Sequence, residues 1–172
     1  MPSTEPSAPR LLTTVEESHL PIIHTLYTAA YTDGLWPTNP TLESLTRRIH
    51  SALLTLTLTL APPTTAPPLP TPQQPAIPAV IGFLLLTGSP SDPLLEDLIV
   101  HSAHRRGGYG ALLVGAMKDA VSTGGIPGSA AAARVDCYCQ WGVKGFYERC
   151  GFVMVRGEQG GRCLMRWAVP GR

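Results

Sequence analysis

The chain has 172 residues, 44% hydrophobic and 15% charged, with 13 Lys and Arg against 12 Asp and Glu for a net charge of +1. A chain of this length buries roughly 70% of its unfolded surface in one core. No basic run exceeds two residues, so nothing in it wraps a nucleic-acid backbone or lies on an anionic membrane.

Residues 1–9 contain three prolines and read as a disordered N-terminal arm, which leaves residues 10–172 as a single domain. The arm has no apolar signal core. The longest strongly apolar run, 79–86, is far short of the roughly 20 residues of a spanning helix, which predicts a cytoplasmic or nuclear protein that is not secreted. A first strand is expected over 10–15. Ser18 can cap a helix to about Tyr31 with Leu20, Ile23, Leu26, Tyr27 and Ala30 on its buried face, and Pro21 is tolerated in the first turn. The segment 32–40 breaks the pattern, and Thr41 can cap a second helix to about His50.

Leu54, Leu56, Leu58 and Leu60 alternate with threonines in a period of two, which predicts a strand with one buried and one half-polar face. Residues 61–78 are almost entirely Pro, Thr, Ala and Gln and read as an extended loop insertion. The continuously apolar stretch 79–87 is a strand covered on both faces, and 88–93 turns the chain into the next strand, which carries Glu96. An almost wholly apolar helix follows over 108–122, then a glycine-rich turn over 123–129 and a short strand over 134–139. Residues 140–150 read as a helix with Val143, Phe146, Tyr147 and Cys150 on one stripe; Gly151 ends it. Two last strands, 152–155 and 163–167, are joined by 157–161.

Between the strand of Glu96 and the apolar helix lies Arg105-Arg106-Gly107-Gly108-Tyr109-Gly110-Ala111. Glycines at a helix N-terminus expose backbone N–H groups to an anion, and two arginines add positive charge. No lysine follows the glycines, which excludes a P-loop. Leu113 stands where the third glycine of a dinucleotide fingerprint belongs.

What remains, Arg105-x-x-Gly108-x-Gly110, resembles the acetyl-CoA pyrophosphate loop of the GNAT acetyltransferase superfamily. Leu95 to His101 is similar to that family's central strand, as found in polyamine acetyltransferases. Phe146-Tyr147-Glu148-Arg149-Cys150-Gly151-Phe152 resembles its late Phe-Tyr-Glu-x-x-Gly-Phe signature. The resemblance covers about residues 94–167 well and the N-terminal half only by pattern. It implies an α/β (α+β) fold: a mixed, mostly antiparallel central sheet flanked by helices, with a splayed strand pair that receives CoA.

The implied activity is an N-acetyltransferase moving the acetyl group of acetyl-CoA to a primary amine of a small molecule or peptide, by direct attack in a ternary complex. The acetyl-CoA contacts fall on Leu98, Ile99 and Val100, on Arg105, Arg106, Gly107, Gly108, Tyr109, Gly110 and Ala111, and on Gln140, which replaces an asparagine common in relatives. Gly107 stands in place of a common basic residue, and Arg106 at a position that is often glycine. A backbone N–H near Ile99 or Val100 faces the thioester oxygen. Asp33 and Trp36, in the loop over 32–40, are placed at the acceptor.

Glu96 sits in an otherwise apolar strand, where a carboxylate is costly to bury without a partner. The period of two puts it on the face of Leu94, Leu98 and Val100, with Asp97 opposite in a structural role. By resemblance Glu96 binds or deprotonates the acceptor amine, directly or through water; the plainer alternative is a structural hydrogen bond. Tyr147 matches the family tyrosine that protonates the CoA thiolate, and its plainer reading is a buried tyrosine with a satisfied hydroxyl.

Cys137, Cys139, Cys150 and Cys163 show no zinc-knuckle spacing and suit core packing, and the five histidines lack a ligand pattern, so no metal is expected. The partners are acetyl-CoA and an amine, with a homodimer compatible. A different reading is a non-catalytic GNAT-fold acyl-CoA-binding or interaction protein that uses 61–78 as a recognition loop.

Overall fold

The alternating and apolar segments assemble into one seven-stranded sheet. In the computed structural model, residues 8–36, 38–60, 79–126, 132–158 and 160–171 are described. The expectations for residues 1–7 of the N-terminal arm, for the loop 61–78 and for residues 127–129 of the turn over 123–129 lie outside the described residues.

In chain order the elements are β1 (Arg10–Leu12), α1 (Leu20–Thr32), α2 (Leu42–His50), β2 (Leu54–Leu60), β3 (Ala79–Ser89), β4 (Asp92–Val100), α3 (Tyr109–Ser122), β5 (Arg134–Gln140), α4 (Lys144–Arg149), β6 (Val153–Glu158) and β7 (Arg162–Ala168). The sheet order is β1-β2-β3-β4-β5-β7-β6. All neighbours are antiparallel except β4 and β5, which run parallel. Their ladder covers only Leu94 with Asp136 and Leu95 with Cys137. From Glu96 onward the two strands part, which is the splay the family resemblance implies.

Helices cover both faces. Leu113, Val114, Met117 and Val121 of α3 pack with Leu56, Leu58, Leu84, Val135, Cys137, Tyr147 and Met165 into the larger core. On the other face Ile23, Leu26, Tyr27 and Ala30 of α1 and Leu45 of α2 meet Val80, Phe83, Leu85 and Ile99. Thr41 caps α2 as expected, its hydroxyl accepting from the Ser44 N–H at 3.2 Å.

Several expectations are corrected. Ser18 is not a cap: it lies inside a 3-10 turn, Glu17–His19, ahead of α1, and His19 accepts from the Glu16 N–H at 3.4 Å. β1 ends at Leu12 rather than at residue 15, because only three residues pair with β2. The half-polar threonine face of β2 is buried as well: Thr57 and Thr59 are shielded, since the strand lies inside a sheet with helices on both sides. The helix after β5 begins as a 3-10 turn, Trp141–Val143, and only Lys144–Arg149 is α-helical. The tighter turn rotates Val143 off the stripe and leaves it exposed.

Candidate active site

The bend that builds the site is in β4. Leu85 pairs with Asp97 and Leu86 with Leu95, so Glu96 is the extra residue of a β-bulge. A bulge breaks the period of two. Leu95 and Leu98 therefore both join the core under α3, while Glu96 and Asp97 converge on the other face. This corrects the expectation that Glu96 shares a face with Leu98 and Val100 and that Asp97 points away from it.

Both carboxylates meet Arg48 of α2. Its Nη2 lies 2.9 Å from Glu96 Oε1 and also bonds Asp97 Oδ2, the oxygen that accepts from the Tyr27 hydroxyl of α1. Asp97 is only 3% exposed. Burial raises its pKa, against the Tyr27 hydrogen bond and the Arg48 charge, which favour the carboxylate. Burial also pushes the Tyr27 hydroxyl well above the ordinary tyrosine value, and the Asp97 charge adds to it. For Arg48, burial works downward, but Asp97, Tyr27 and Glu96 prevail and hold the guanidinium more firmly protonated.

Tyr27, Arg48 and Asp97 were not among the candidates drawn from the sequence. A signal for Arg48 was present: with Leu45 and Ile49 it stands at i, i+3 and i+4 on the apolar stripe of α2, where a cation needs a buried partner.

On the opposite side of the splay, Tyr147 of α4 is buried between Phe146 and Phe152, with ring centroids 5.1 and 5.6 Å away. Its hydroxyl makes no hydrogen bond to a described side chain or backbone group, and it is not among the polar atoms sealed from solvent. Burial raises its pKa well above the ordinary value, and nearby thiols and Asp97 contribute in the same direction. The proton therefore stays on Tyr147 across the physiological range.

Beyond β4 the chain makes a 3-10 turn, Ser102–His104, and then the glycine-rich loop. Arg106 has φ 68°, a left-handed conformation that glycine adopts freely, which accounts for a glycine being common at that position. Gly108 caps α3 with φ 81°, and a Cβ added there would meet nothing within 4 Å, so its open side can receive a ligand. Gly110 is small for another reason. A Cβ on it would sit 3.2 Å from Phe146 Cζ, so it lets α3 pack against α4. Gly107 faces the ring of Tyr109 in the same way. The N–H groups of Tyr109, Gly110 and Ala111 precede the first intrahelical bond, from the Leu112 N–H to the Gly108 carbonyl, and remain available to an anion.

Leu98, Ile99 and Val100 pair with Leu84, Phe83 and Gly82 of β3, and their β5-side edge has no strand partner. The loop between α1 and α2 reaches both arms of the splay. Asp33 Oδ2 lies 3.1 Å from Arg105 Nη1, and the Leu35 carbonyl accepts from Gln140 Nε2 at 3.5 Å. Arg105 also donates through Nε to the Val100 carbonyl at 3.1 Å. Trp36 meets Tyr27 edge-on at 6.2 Å and so forms a wall beside the Asp97 cluster. Cys139 and Cys163 face each other across β5 and β7 at 3.3 Å within the core, where burial raises the Cys139 thiol. Among the described residues no group of three His, Cys, Asp or Glu side chains could hold a metal.

The comparisons with known proteins agree with this geometry. A family model described as an acetyltransferase (GNAT) domain matches residues 77–154, a stretch that runs from the start of β3 into β6. No curated protein sequence matches the chain. Among solved structures, a GNAT-family acetyltransferase of Staphylococcus aureus superposes with TM-score 0.69 at 9% identity, covering 94% of this chain and 99% of that one. The ribosomal-protein-S18-alanine N-acetyltransferase of Escherichia coli gives 0.66 at 13% identity, with 94% of each chain covered. N-acetylglutamate synthase of Neisseria gonorrhoeae, complexed with coenzyme A and N-acetyl-glutamate, gives 0.67 at 15% identity over 96% of this chain and 36% of that one. Residues 77–154 thus match the GNAT acetyltransferase domain, and the chain shares the fold of these solved acetyltransferases.

Proposed function

We propose that the chain is an acetyl-CoA-dependent N-acetyltransferase acting on a primary amine of a small molecule or peptide by direct attack in a ternary complex, in the cytoplasm. The observation that carries the reading is the splay of β4 and β5, which opens at Glu96, together with the open Gly108 cradle at the start of α3. The fit to acetyl-CoA rests on that cradle: an open glycine at positive φ, free N–H groups at the start of α3, and the Arg105 and Arg106 charges.

Acetyl-CoA supplies the acetyl thioester and the thiolate leaving group. The unpaired edge of Leu98, Ile99 and Val100 offers backbone groups to the pantetheine arm. The Val100 N–H, which faces away from β3, would be worth about 3 kcal/mol of barrier if aimed at the thioester oxygen, whereas the Ile99 N–H, like that of His101, faces β3. Glu96 receives the acceptor ammonium and takes its proton, directly or through water. The nitrogen attacks the thioester carbonyl and the C–S bond breaks; Tyr147, kept protonated by burial, gives its proton to the departing sulfur, and the second proton shed by the nitrogen restores the tyrosine. Asp33 and Trp36 border the acceptor space.

A thiol-release assay with acetyl-CoA against panels of amines and peptides, with products identified by mass, tests this reading. An acetylated amine is the expected result. Saturable CoA binding with no acetylated product across both panels would instead leave the non-catalytic acyl-CoA-binding reading.

A further inference from the structure

The bulge at Glu96 gathers two carboxylates and one guanidinium, and the two ion pairs of Arg48 differ in kind. Asp97 is 3% exposed and also accepts from Tyr27, so its bond to Arg48 is shielded from water. The Glu96 side chain is 39% exposed, and a pair that open to solvent contributes little. A cation arriving at Glu96 displaces the weak contact and leaves the buried one intact. The guanidinium then stays in place beside the newcomer, because breaking its bond to Asp97 would strand a buried charge.

The other ionisable groups facing this cluster are Tyr27 from α1 and Tyr147 from α4, both kept neutral by burial. Two carboxylates and one fixed guanidinium leave a single negative charge. One ammonium neutralises it. A second ammonium on a short linker must sit near the guanidinium and is repelled at close range, where screening by salt is weak.

Resting on the reading of Glu96 as the group that receives the acceptor, we propose that Arg48 is a specificity-determining residue that admits monocationic primary amines and rejects short dicationic ones. It does so as a resident counter-cation, tied to Asp97 and exchangeable at Glu96. This deepens the assignment of the acceptor: an alkylamine or a peptide N-terminus with one positive charge fits, and a diamine does not.

n-Propylamine and 1,3-diaminopropane are matched in length and differ in charge at pH 7. Their dissociation constants for CoA-saturated protein, from NMR titration, and their kcat/KM with acetyl-CoA test the proposal together. The wild type should favour n-propylamine by about tenfold. Arg48→Gln leaves two carboxylates without their cation and should bring the ratio to one or below, and Arg48→Lys should restore the preference for n-propylamine. Since Arg48→Gln leaves Asp97 buried without a cation, the double variant Arg48→Gln/Asp97→Asn, which keeps the single negative charge and removes the guanidinium, is the control, with an expected ratio of about one. A purely structural Arg48 would weaken both amines by one factor and leave the ratio unchanged in Arg48→Gln, which overturns the proposal. So does a wild type that prefers the diamine or binds neither amine. Selective binding without acetylated product supports the role of Arg48 and removes the transferase reading instead.

Discussion

The two ends of the β4–β5 splay are built by different means. The cradle at the start of α3 is made of backbone, with N–H groups exposed by a left-handed turn at Arg106 and Gly108. The proposed acceptor end is made of side chains, Tyr27, Arg48, Glu96 and Asp97, brought together from α1, α2 and β4. A backbone site is insensitive to most substitutions and fails when a glycine is filled. A side-chain site tolerates changes of backbone-neutral kind poorly, because each removed group leaves a buried partner unsatisfied.

Between the two ends, the larger effect should come from the acceptor end. Glu96→Gln keeps the shape of the side chain and loses its charge, so kcat/KM for the amine should fall at least about 10²-fold with CoA affinity unchanged. Steady-state kinetics beside CoA titration check this; an equal loss of CoA affinity would merge the two ends into one.

At the cradle, CoA at a hundredfold excess over its Kd should stabilise the native protein by about 2.7 kcal/mol. Gly108→Val fills the open side and also strains a residue at φ 81°, so the variant should be less stable and should lose its response to CoA. Thermal melts with and without CoA separate the two losses, and a Gly108→Val protein that folds and binds CoA as well as wild type would show the loop to be misassigned.

The difference in construction also explains what the sequence revealed. Glycine spacing writes a backbone cradle directly into the chain, so Arg105-x-x-Gly108-x-Gly110 was legible, as were the elements themselves: the period of two in β2, the apolar run of β3 and the capped start of α2 all formed. The carboxylate cluster was not legible because its members are far apart in sequence. One inserted residue at Glu96 reverses the faces that a strict alternation assigns, and no local pattern announces a bulge whose partner strand lies ten residues away. Glu96 and Tyr147 could be picked out by resemblance, whereas the pairing of Asp97 with Tyr27 and Arg48 needed the packing of α1 and α2 on the sheet.

Tyr27→Phe should cost about 1–3 kcal/mol by leaving Asp97 short of a donor. The hydrogen bond favours ionised Asp97, whose pKa burial has already raised. The loss is therefore full where Asp97 is charged and shrinks as pH falls through its raised pKa and the carboxyl protonates. Denaturant melts at neutral and acidic pH check the sign. A penalty that grows on acidification would contradict it.

The smallest effect belongs to the contact that joins the two ends. Asp33 and Arg105 are both substantially exposed, so Asp33→Asn should change stability by no more than about 1 kcal/mol, and less at high salt. Freed of Asp33, Arg105 should bind CoA slightly more tightly. A titration at two ionic strengths would show it, and weaker CoA binding would mean that Asp33 orders the cradle.

The most direct measurement is of Tyr147→Phe, with turnover and CoA affinity taken from the same preparation. The substitution removes one hydroxyl that has no described partner, so folding and CoA binding should persist while kcat falls about 10²–10⁴-fold. Because burial raises the Tyr147 pKa, the wild-type kcat should not fall through loss of this proton as pH rises to about 9. A Tyr147→Phe protein that acetylates the amine at the wild-type rate would contradict the assignment of the proton donor and, with it, the chemistry placed at the splay.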